Sequence, residues 1–145
     1  MAQIKRINAR ISVAPQIVES DVAEIAAAGF RTLMNNRPDG EGADQTPDAG
    51  IRAVAQAAGL NYVYLPVISG QMTPQNVEDF RKVLAEAEAP VLAYCRTGTR
   101  CTNLWALAVA GDQSTDEIIS SAAGAGYDVS GLAPVIGQLA AQRRG

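Results

Sequence analysis

Both cysteines of the chain lie in one short segment, which runs from Val91 to Cys101 and also contains two arginines. Cys95 follows an apolar run that predicts a strand, and the residues after it predict a turn into a helix. Backbone N–H groups that converge in such a turn bind an oxyanion, and with the positive end of the helix they hold a thiol as the thiolate. Arg100, five positions after Cys95, carries a planar fork of donors suited to clamping an anion. These residue types predict a cysteine nucleophile that acts on a small oxyanion group.

The residues between the cysteine and the arginine fit the same chemistry. We expect the backbone N–H groups of Arg96, Thr97, Gly98, Thr99 and Arg100 to surround the anion. Gly98 would let the backbone turn tightly around it. The hydroxyl groups of Thr97 and Thr99 can donate further hydrogen bonds. An inert structural thiol would leave the two arginines and the glycine unexplained, so we favour a functional loop.

Cys101, the second thiol of the segment, has two interpretations. It could be a resolving thiol that forms a disulfide or a persulfide relay with Cys95. It could also be a small buried apolar residue at the start of a helix, which we favour because free cysteines are usually buried and inert.

The composition excludes several classes of site and of partner. The chain has no histidine, which rules out Ser-His-Asp and Cys-His triads, zinc motifs built on histidine and a histidine general base. We see no pattern of metal ligands and expect no cofactor. A net charge of −3, without a basic cluster interleaved with aromatic residues, gives no reason to expect nucleic acid. The expected partner is a small molecule.

Length and hydrophobicity describe an ordinary globular protein. With 145 residues, 48% of them hydrophobic, the chain fits one domain that spans residues 1–145. No window approaches about 18 uninterrupted apolar residues. The start Met1–Arg6 lacks the apolar run of a secretory signal, and two cysteines six positions apart are not a disulfide framework. We expect a cytoplasmic protein that has no membrane partner.

Strand patterns alternate with helix patterns along the chain, which predicts an α/β fold. The strands are predicted over Ile4–Asn8, Ile11–Ala14, Phe30–Asn35, Asn61–Val67 and Val91–Tyr94. The last of these is apolar without alternation, as expected for a central strand that is covered on both faces. The sequence therefore predicts a single three-layer domain whose central, mostly parallel sheet of about four or five strands is flanked by helices.

Capping residues and apolar spacing place the helices. We predict helices that begin at Ser20, at Thr46-Pro47, at Thr73-Pro74, at Thr102, at Ser114 and near Leu132, with a frayed end over 142–145. The longest predicted loop, 36–45, follows a strand. Ligands bind at the carboxyl ends of strands in open α/β sheets, so this loop could border the site; a solvated connection is the alternative. Arg37 is expected to pair with a nearby carboxylate.

Four segments resemble the phosphatase-like domain of the beta-lactamase-hydrolase-like (BLH) proteins. They are 30–41, 64–67, 92–100 and 104–106. The resemblance implies a dual-specificity-phosphatase-like fold in which Cys95 is the nucleophile and Arg100 the anion clamp. Phosphatases of this kind often keep a hydroxyl group on the thiolate just after the arginine, which implies this role for Thr102.

The reactive loop departs from the phosphatase pattern in its length. Protein tyrosine phosphatases typically have His-Cys and five residues before the arginine, whereas Tyr94 precedes Cys95 here and four residues separate it from Arg100. The pattern Cys-Arg-x-Gly-x-Arg resembles the active loop of rhodaneses instead. A smaller ring of N–H groups suits a sulfane sulfur better than a tetrahedral phosphoryl group.

A second departure concerns the general acid. Ser69 stands near the position where such phosphatases often place an aspartate, and its hydroxyl group is too weak an acid. General acid catalysis contributes about 10²- to 10⁴-fold in rate, so a phosphatase would need Asp39, Glu41 or Asp44 in this role. A sulfur donor needs no acid, since it departs as a stable anion.

Both departures favour a sulfurtransferase in which Cys95 becomes a persulfide. The alternative is a phosphatase that hydrolyses phosphate monoesters through a phosphocysteine, and a second alternative is a non-enzymatic anion sensor or thiol redox switch. The substrate would be a sulfane-sulfur donor or a phosphoester. The BLH resemblance also suggests a metallohydrolase of the sulfur-dioxygenase type as a partner.

Overall fold

A five-stranded sheet carries the reactive segment. The computed structural model describes residues 2–144. Its strands are β1 (Lys5–Arg6), β2 (Ile11–Ala14), β3 (Thr32–Asn35), β4 (Asn61–Tyr64) and β5 (Val91–Tyr94). The strand order is β1-β2-β5-β3-β4; β1 pairs antiparallel with β2, and the other neighbours are parallel. The predicted α/β class and the mostly parallel sheet are confirmed.

Helices cover both faces of this sheet. They are α1 (Val22–Ala27), α2 (Asp48–Ala57), α3 (Pro74–Glu86), α4 (Thr99–Ala108), α5 (Thr115–Gly124) and α6 (Ala133–Arg144), with 3₁₀ turns at Glu19–Asp21 and Ser130–Leu132. Side chains alternate between the faces along β5: Val91 and Ala93 pack with the core beneath α3 and α4, and Leu92 and Tyr94 pack with the core beneath α1 and α2. The domain therefore has three layers.

The strand β5 lies at the centre and delivers the reactive loop. Its residues are fully buried, and it pairs in parallel with β2 on one side and β3 on the other. In this register Tyr94 lies level with Ala14 and Asn35, so the three strands end together. The loops that follow them must therefore meet at one edge of the sheet.

Several predicted boundaries differ from the structure. The strand predicted over Ile4–Asn8 is reduced to β1, and β3 starts at Thr32. β4 ends at Tyr64 because Pro66 has no N–H for the ladder. The flanking Leu65 and Val67 still donate to Asn35 O, at the end of β3, and to Asn36 O. The helix predicted from Thr102 begins three residues earlier, at Thr99, because Gly98 takes a left-handed conformation that starts the helix at once.

The helix starts were predicted correctly where a side chain caps them. Thr73 and Ser114 accept the N–H groups of Asn76 and Glu117, as their positions before α3 and α5 predicted. The prediction for Ser20 was wrong, because this residue lies inside the first 3₁₀ turn and α1 starts after Asp21. Before α2, Pro47 occupies the cap position itself.

The prediction that the chain frays over 142–145 was wrong for residues 142–144. α6 continues to this residue, and Arg143 donates to the carbonyl groups of Leu107, Ala108 and Ala110. The terminal Gly145 lies outside the described residues. Within 2–144, none of the helices combines the length and the apolar character needed to cross a membrane.

Candidate functional site

Cys95 lies one residue beyond β5, at the floor of a cavity. Its side chain is 1% exposed, and its N–H donates to Ala14 O at 3.3 Å, which extends the sheet by one bond. Three residues later, Gly98 N–H turns back and donates to Cys95 Sγ at 3.1 Å. The loop therefore closes around the sulfur atom immediately before α4 begins.

Only glycine fits at position 98, because of its backbone conformation and because of the space around it. Its φ of +88° lies in the left-handed region, which side chains with a Cβ atom rarely adopt. A Cβ atom at this position would also collide with the Tyr127 hydroxyl group and would touch the Ala14 backbone. The sequence-based expectation that Gly98 allows a tight turn agrees with this geometry.

The surroundings of Cys95 favour its thiolate. A hydrogen bond from the Cys101 thiol lowers its pKa most, burial raises it, and the backbone N–H groups of Cys101, Thr97 and Gly98 lower it further; the resulting pKa is about 6. Burial and the neighbouring Cys95 raise the pKa of Cys101 well above its ordinary value. Cys101 therefore stays protonated and donates, while Cys95 carries the negative charge.

Arg100 is held beside this thiol by carbonyl oxygens and a carboxylate. Its Nη1 donates to Val67 O at 3.0 Å, and its Nη2 donates to Glu41 Oε1 at 3.0 Å. The side chain is 10% exposed and lines the same cavity as Cys95. A guanidinium has five N–H donors, so these bonds leave donors for an anion in the cavity.

Glu41 joins two arginines. The same Oε1 atom also accepts from Arg37 Nε at 2.9 Å, so the expected pairing of Arg37 with a carboxylate is formed. Burial raises the pKa of Glu41, but hydrogen bonds from Arg100 and Arg37 outweigh it and lower the pKa below its ordinary value. Glu41 is therefore ionised and positions Arg100; it holds no proton to donate.

The cavity above Cys95 has a volume of about 350 Å³. It is lined by Ile68, Ser69, Gly70, Met72, Cys95, Arg96, Thr97, Thr99, Arg100 and Asn103. Three of the predicted loop residues, Arg96, Thr97 and Thr99, are exposed here, and Ser69 lies at the rim. Among the residues that the structure describes, this lining contains two arginines and no carboxylate, so the site attracts anions and lacks an obvious proton donor.

The carboxylates considered as general acids lie elsewhere. Asp39 Oδ1 accepts the N–H of Asp48 at 2.8 Å and thereby caps α2. Asp44 is exposed and lines a separate cavity beside Arg37. Neither side chain contributes to the lining above Cys95.

Thr102 does not take the position that the resemblance implied. Its hydroxyl group donates to Gly98 O at 2.8 Å, so its single hydrogen is not available to the thiolate. The residue before it, Cys101, provides that donor instead. The helix α4 starts early enough to include Cys101 in its first turn.

Sequence analysis missed two residues that hold the loop. Tyr127 Oη donates to Thr97 O at 2.9 Å, and Gln16 N donates to Arg96 O at 3.2 Å. Gln16 lies two residues after the end of β2, so the parallel arrangement of strands was a signal that could have placed it. No spacing in the sequence indicates Tyr127, which is 30 residues from its partner.

The sequence matches a known protein family. The family model described as "Beta-lactamase hydrolase-like protein, phosphatase-like domain" matches residues 3–112. A beta-lactamase hydrolase-like protein from Agrobacterium fabrum is 38% identical over 107 residues, which cover 74% of this chain and 25% of that protein. The chain thus spans about a quarter of the length of this relative.

Solved structures show the same architecture. A candidate phosphatase from Neisseria meningitidis is 35% identical, with a TM-score of 0.82 over 94% of this chain and 97% of that one. PTPMT1, crystallised in complex with PI(5)P, is 13% identical, with a TM-score of 0.74 over 96% and 95% of the two chains, and shows the fold alone. The cysteine-phosphatase-like fold is confirmed. These comparisons favour the phosphatase alternative over the expected sulfurtransferase.

Proposed function

Because this chain belongs to the phosphatase-like domain family of beta-lactamase hydrolase-like proteins, we propose that it hydrolyses phosphate monoesters through a phosphocysteine on Cys95. The observation that carries the proposal is the buried thiol, whose Sγ accepts Gly98 N–H at 3.1 Å and whose pKa is about 6. At neutral pH such a thiol is mainly thiolate, which is the attacking form.

The first step forms a sulfur–phosphorus bond and breaks the ester bond. The Cys95 thiolate donates an electron pair to phosphorus, and the ester oxygen leaves with the pair of the bond that breaks. Arg100 lines the cavity and, together with the N–H groups of the loop, stabilises the charge on the phosphoryl oxygens. In the second step water attacks phosphorus, releases phosphate and restores the thiolate.

The lining of the cavity determines which phosphate esters can be hydrolysed rapidly. Among residues 2–144, the side chains that line it include no aspartate or glutamate, and the nearby Glu41 is ionised between two arginines. A phosphatase without a general acid forgoes about 10²- to 10⁴-fold in rate on alkyl esters. We therefore propose substrates whose leaving group is stable as an anion, such as aryl phosphates.

Sulfur transfer is the second candidate. It is favoured by the same cavity lining, which includes no aspartate or glutamate among residues 2–144. In that reaction the Cys95 thiolate attacks the outer sulfur of thiosulfate, the sulfur–sulfur bond breaks and sulfite departs as an anion that needs no proton. A thiophilic acceptor then removes the outer sulfur from the persulfide and restores the thiolate. The loop is also one residue shorter than in typical tyrosine phosphatases, as the four residues between Cys95 and Arg100 show.

Intact-mass measurement distinguishes the two reactions. The protein is mixed separately with p-nitrophenyl phosphate and with thiosulfate, quenched rapidly in acid and weighed. We expect a gain of one phosphoryl group with the first donor, together with release of p-nitrophenol, and no change in either signal for Cys95→Ser. A gain of one sulfur atom without phosphoryl transfer would overturn the phosphatase proposal in favour of sulfur transfer, and no adduct with either donor would overturn both.

Neutralising an excluded carboxylate tests the leaving-group argument. Asp44→Asn should keep the full rate of hydrolysis of an alkyl phosphate, the ester that would depend most on a general acid, because Asp44 is exposed and lies outside the lining above Cys95. The wild-type protein should also prefer p-nitrophenyl phosphate to an alkyl phosphate by a large factor. A fall in rate for Asp44→Asn, or equal rates for both esters, would contradict the absence of a general acid.

A further inference from the structure

We propose that Tyr127 is a positioning residue for Cys95, because its hydroxyl group fixes the peptide group whose N–H faces the cysteine sulfur. The inference rests on the proposed role of Cys95 as the nucleophile. Tyr127 lies between α5 and the second 3₁₀ turn, and its Oη donates to Thr97 O at 2.9 Å. It makes no bond to Cys95 itself and acts through the loop.

The two ends of one peptide group connect Tyr127 to the sulfur atom. Thr97 O and Gly98 N–H belong to the same planar peptide and point in opposite directions. The oxygen accepts from Tyr127, and the N–H donates to Cys95 Sγ at 3.1 Å. A bond to the carbonyl oxygen therefore aims the N–H at the sulfur and polarises it, since hydrogen bonds in a chain strengthen one another.

Tyr127 and Gly98 also fit each other sterically. The hydroxyl group occupies the space that a Cβ atom on Gly98 would fill, and the Ala14 backbone lies close to the same position. Only a glycine at this position lets the tyrosine approach the loop. The contact is therefore built into the shape of the loop.

Tyr127 completes a set of anchors on successive carbonyl groups. Gln16 N–H holds Arg96 O, and Thr102 holds Gly98 O from the other side, with Tyr127 between them. The N–H groups that follow the first two of these oxygens, those of Thr97 and Gly98, both bond to Cys95. Tyr127 is the anchor that comes from outside the region 3–112 matched by the family model.

The Tyr127 hydroxyl group keeps its hydrogen over the pH range in which the Cys95 thiol ionises. The ionisable groups that face Cys95 are Cys101 and Arg100 from α4, Arg96 in the loop and Tyr127 itself. Burial, together with the charge on Cys95, raises the pKa of Tyr127 above its ordinary value. Its hydroxyl group thus remains protonated over the pH range in which Cys95 ionises.

The test is the pH dependence of Cys95 alkylation by iodoacetamide in Tyr127→Phe. This variant keeps the ring and removes the hydroxyl group. We expect the midpoint of the alkylation profile to rise by roughly 0.5 to 1 pH unit, and the rate below the midpoint to fall about three- to tenfold. Tyr64→Phe is the matched control, because its hydroxyl group accepts Asp39 N–H away from the cavity and its loss should leave the midpoint unchanged.

The outcomes separate this inference from the proposed function. A low midpoint in the wild type that stays unchanged in Tyr127→Phe would overturn the positioning role and leave the nucleophile in place, even if thermal stability falls. A wild-type midpoint near 8.5, the ordinary value for cysteine, would overturn the proposed function itself. Thermal unfolding of each variant establishes that the profiles compare folded proteins.

Discussion

At the scale of single residues, the reactivity of Cys95 depends on a second thiol that stays protonated. Cys101 is completely buried, as expected for a small apolar residue, and both cysteines are free. It also donates its hydrogen to Cys95, which is the largest favourable contribution to the low pKa of that thiol. Cys101 thus has a role in addition to packing.

Substitution of Cys101 should separate packing from hydrogen bonding. In Cys101→Ala the donor is lost, so the pKa of Cys95 should rise, and its alkylation profile should move to higher pH. Cys101→Ser is the matched variant, because a hydroxyl group of similar size can still donate. We expect its profile to stay much closer to that of the wild type. Equal profiles for alanine and wild type would contradict the role of the Cys101 thiol.

The sequence predicts the contacts of this site that are local. Cys95, Gly98 and Arg100 are close along the chain, so residue type and spacing placed them around one point. The bond from Cys101 was not predicted, because it depends on the residue at which α4 begins. Tyr127 was missed for a stronger reason: packing of α5 against α4 brings it to Thr97 across 30 residues, and no local pattern encodes that packing.

At the scale of elements, the start of α4 sets the shape of the loop. Gly98 is the N-cap of this helix, and its φ of +88° turns the chain directly from the loop into the first helical turn. The N–H groups at this end have no partners within the helix, and those of Gly98 and Cys101 bond to the Cys95 sulfur instead. The helix start and the anion site are consequently one structural feature.

Gly98→Ala should therefore damage both stability and reactivity. We expect a loss of about 2 to 4 kcal/mol in the free energy of unfolding, since a left-handed alanine is strained and its Cβ atom would collide with Tyr127. Cys95 alkylation should slow as the loop shifts. Chemical denaturation measures the first effect.

Gly137→Ala is the control for this substitution. Gly137 lies within α6, and a Cβ atom added there would have no neighbouring atom within 4 Å. The same change at this position should therefore be neutral or stabilising by up to about 1 kcal/mol. A similar loss for both variants would show that the cost at Gly98 is not specific to the loop.

The element predictions succeeded where periodicity or a capping side chain decides the structure. The strand β5 and the capped starts of α3 and α5 were predicted correctly. The predicted strands at the chain start and after α2 were too long, because pairing across the sheet, rather than local pattern, determines where a ladder ends. The loop 36–45 borders the site through Glu41, which reaches Arg100.

At the scale of the whole molecule, the fold couples the ionisation of one thiol to global stability. Parallel strands that end in register bring the loops after β2, β3 and β5 to one edge of the sheet. The ion pairs of Glu41 with Arg37 and Arg100 connect the loop after β3 to the start of α4, which follows the loop after β5. The site that holds the thiolate exists only when these segments are folded together, so unfolding must return Cys95 to its ordinary pKa.

The free energy of unfolding should consequently depend on pH through Cys95. Its pKa is about 6 in the folded protein and about 8.5 in an unfolded chain, so the unfolded state binds more protons between these values. A depressed pKa of this kind adds stability as pH rises, and the contribution is lost as pH falls through about 6. From pH 5.5 to 8 the free energy of unfolding of the wild type should increase by about 2 kcal/mol more than that of Cys95→Ala. Ionisation of Cys101 in the unfolded chain affects both proteins equally, so it cancels in this comparison. Urea unfolding of both proteins under reducing conditions measures this difference, from which the packing cost of alanine drops out because it does not vary with pH. Parallel pH profiles for the two proteins would contradict a thiolate at this site.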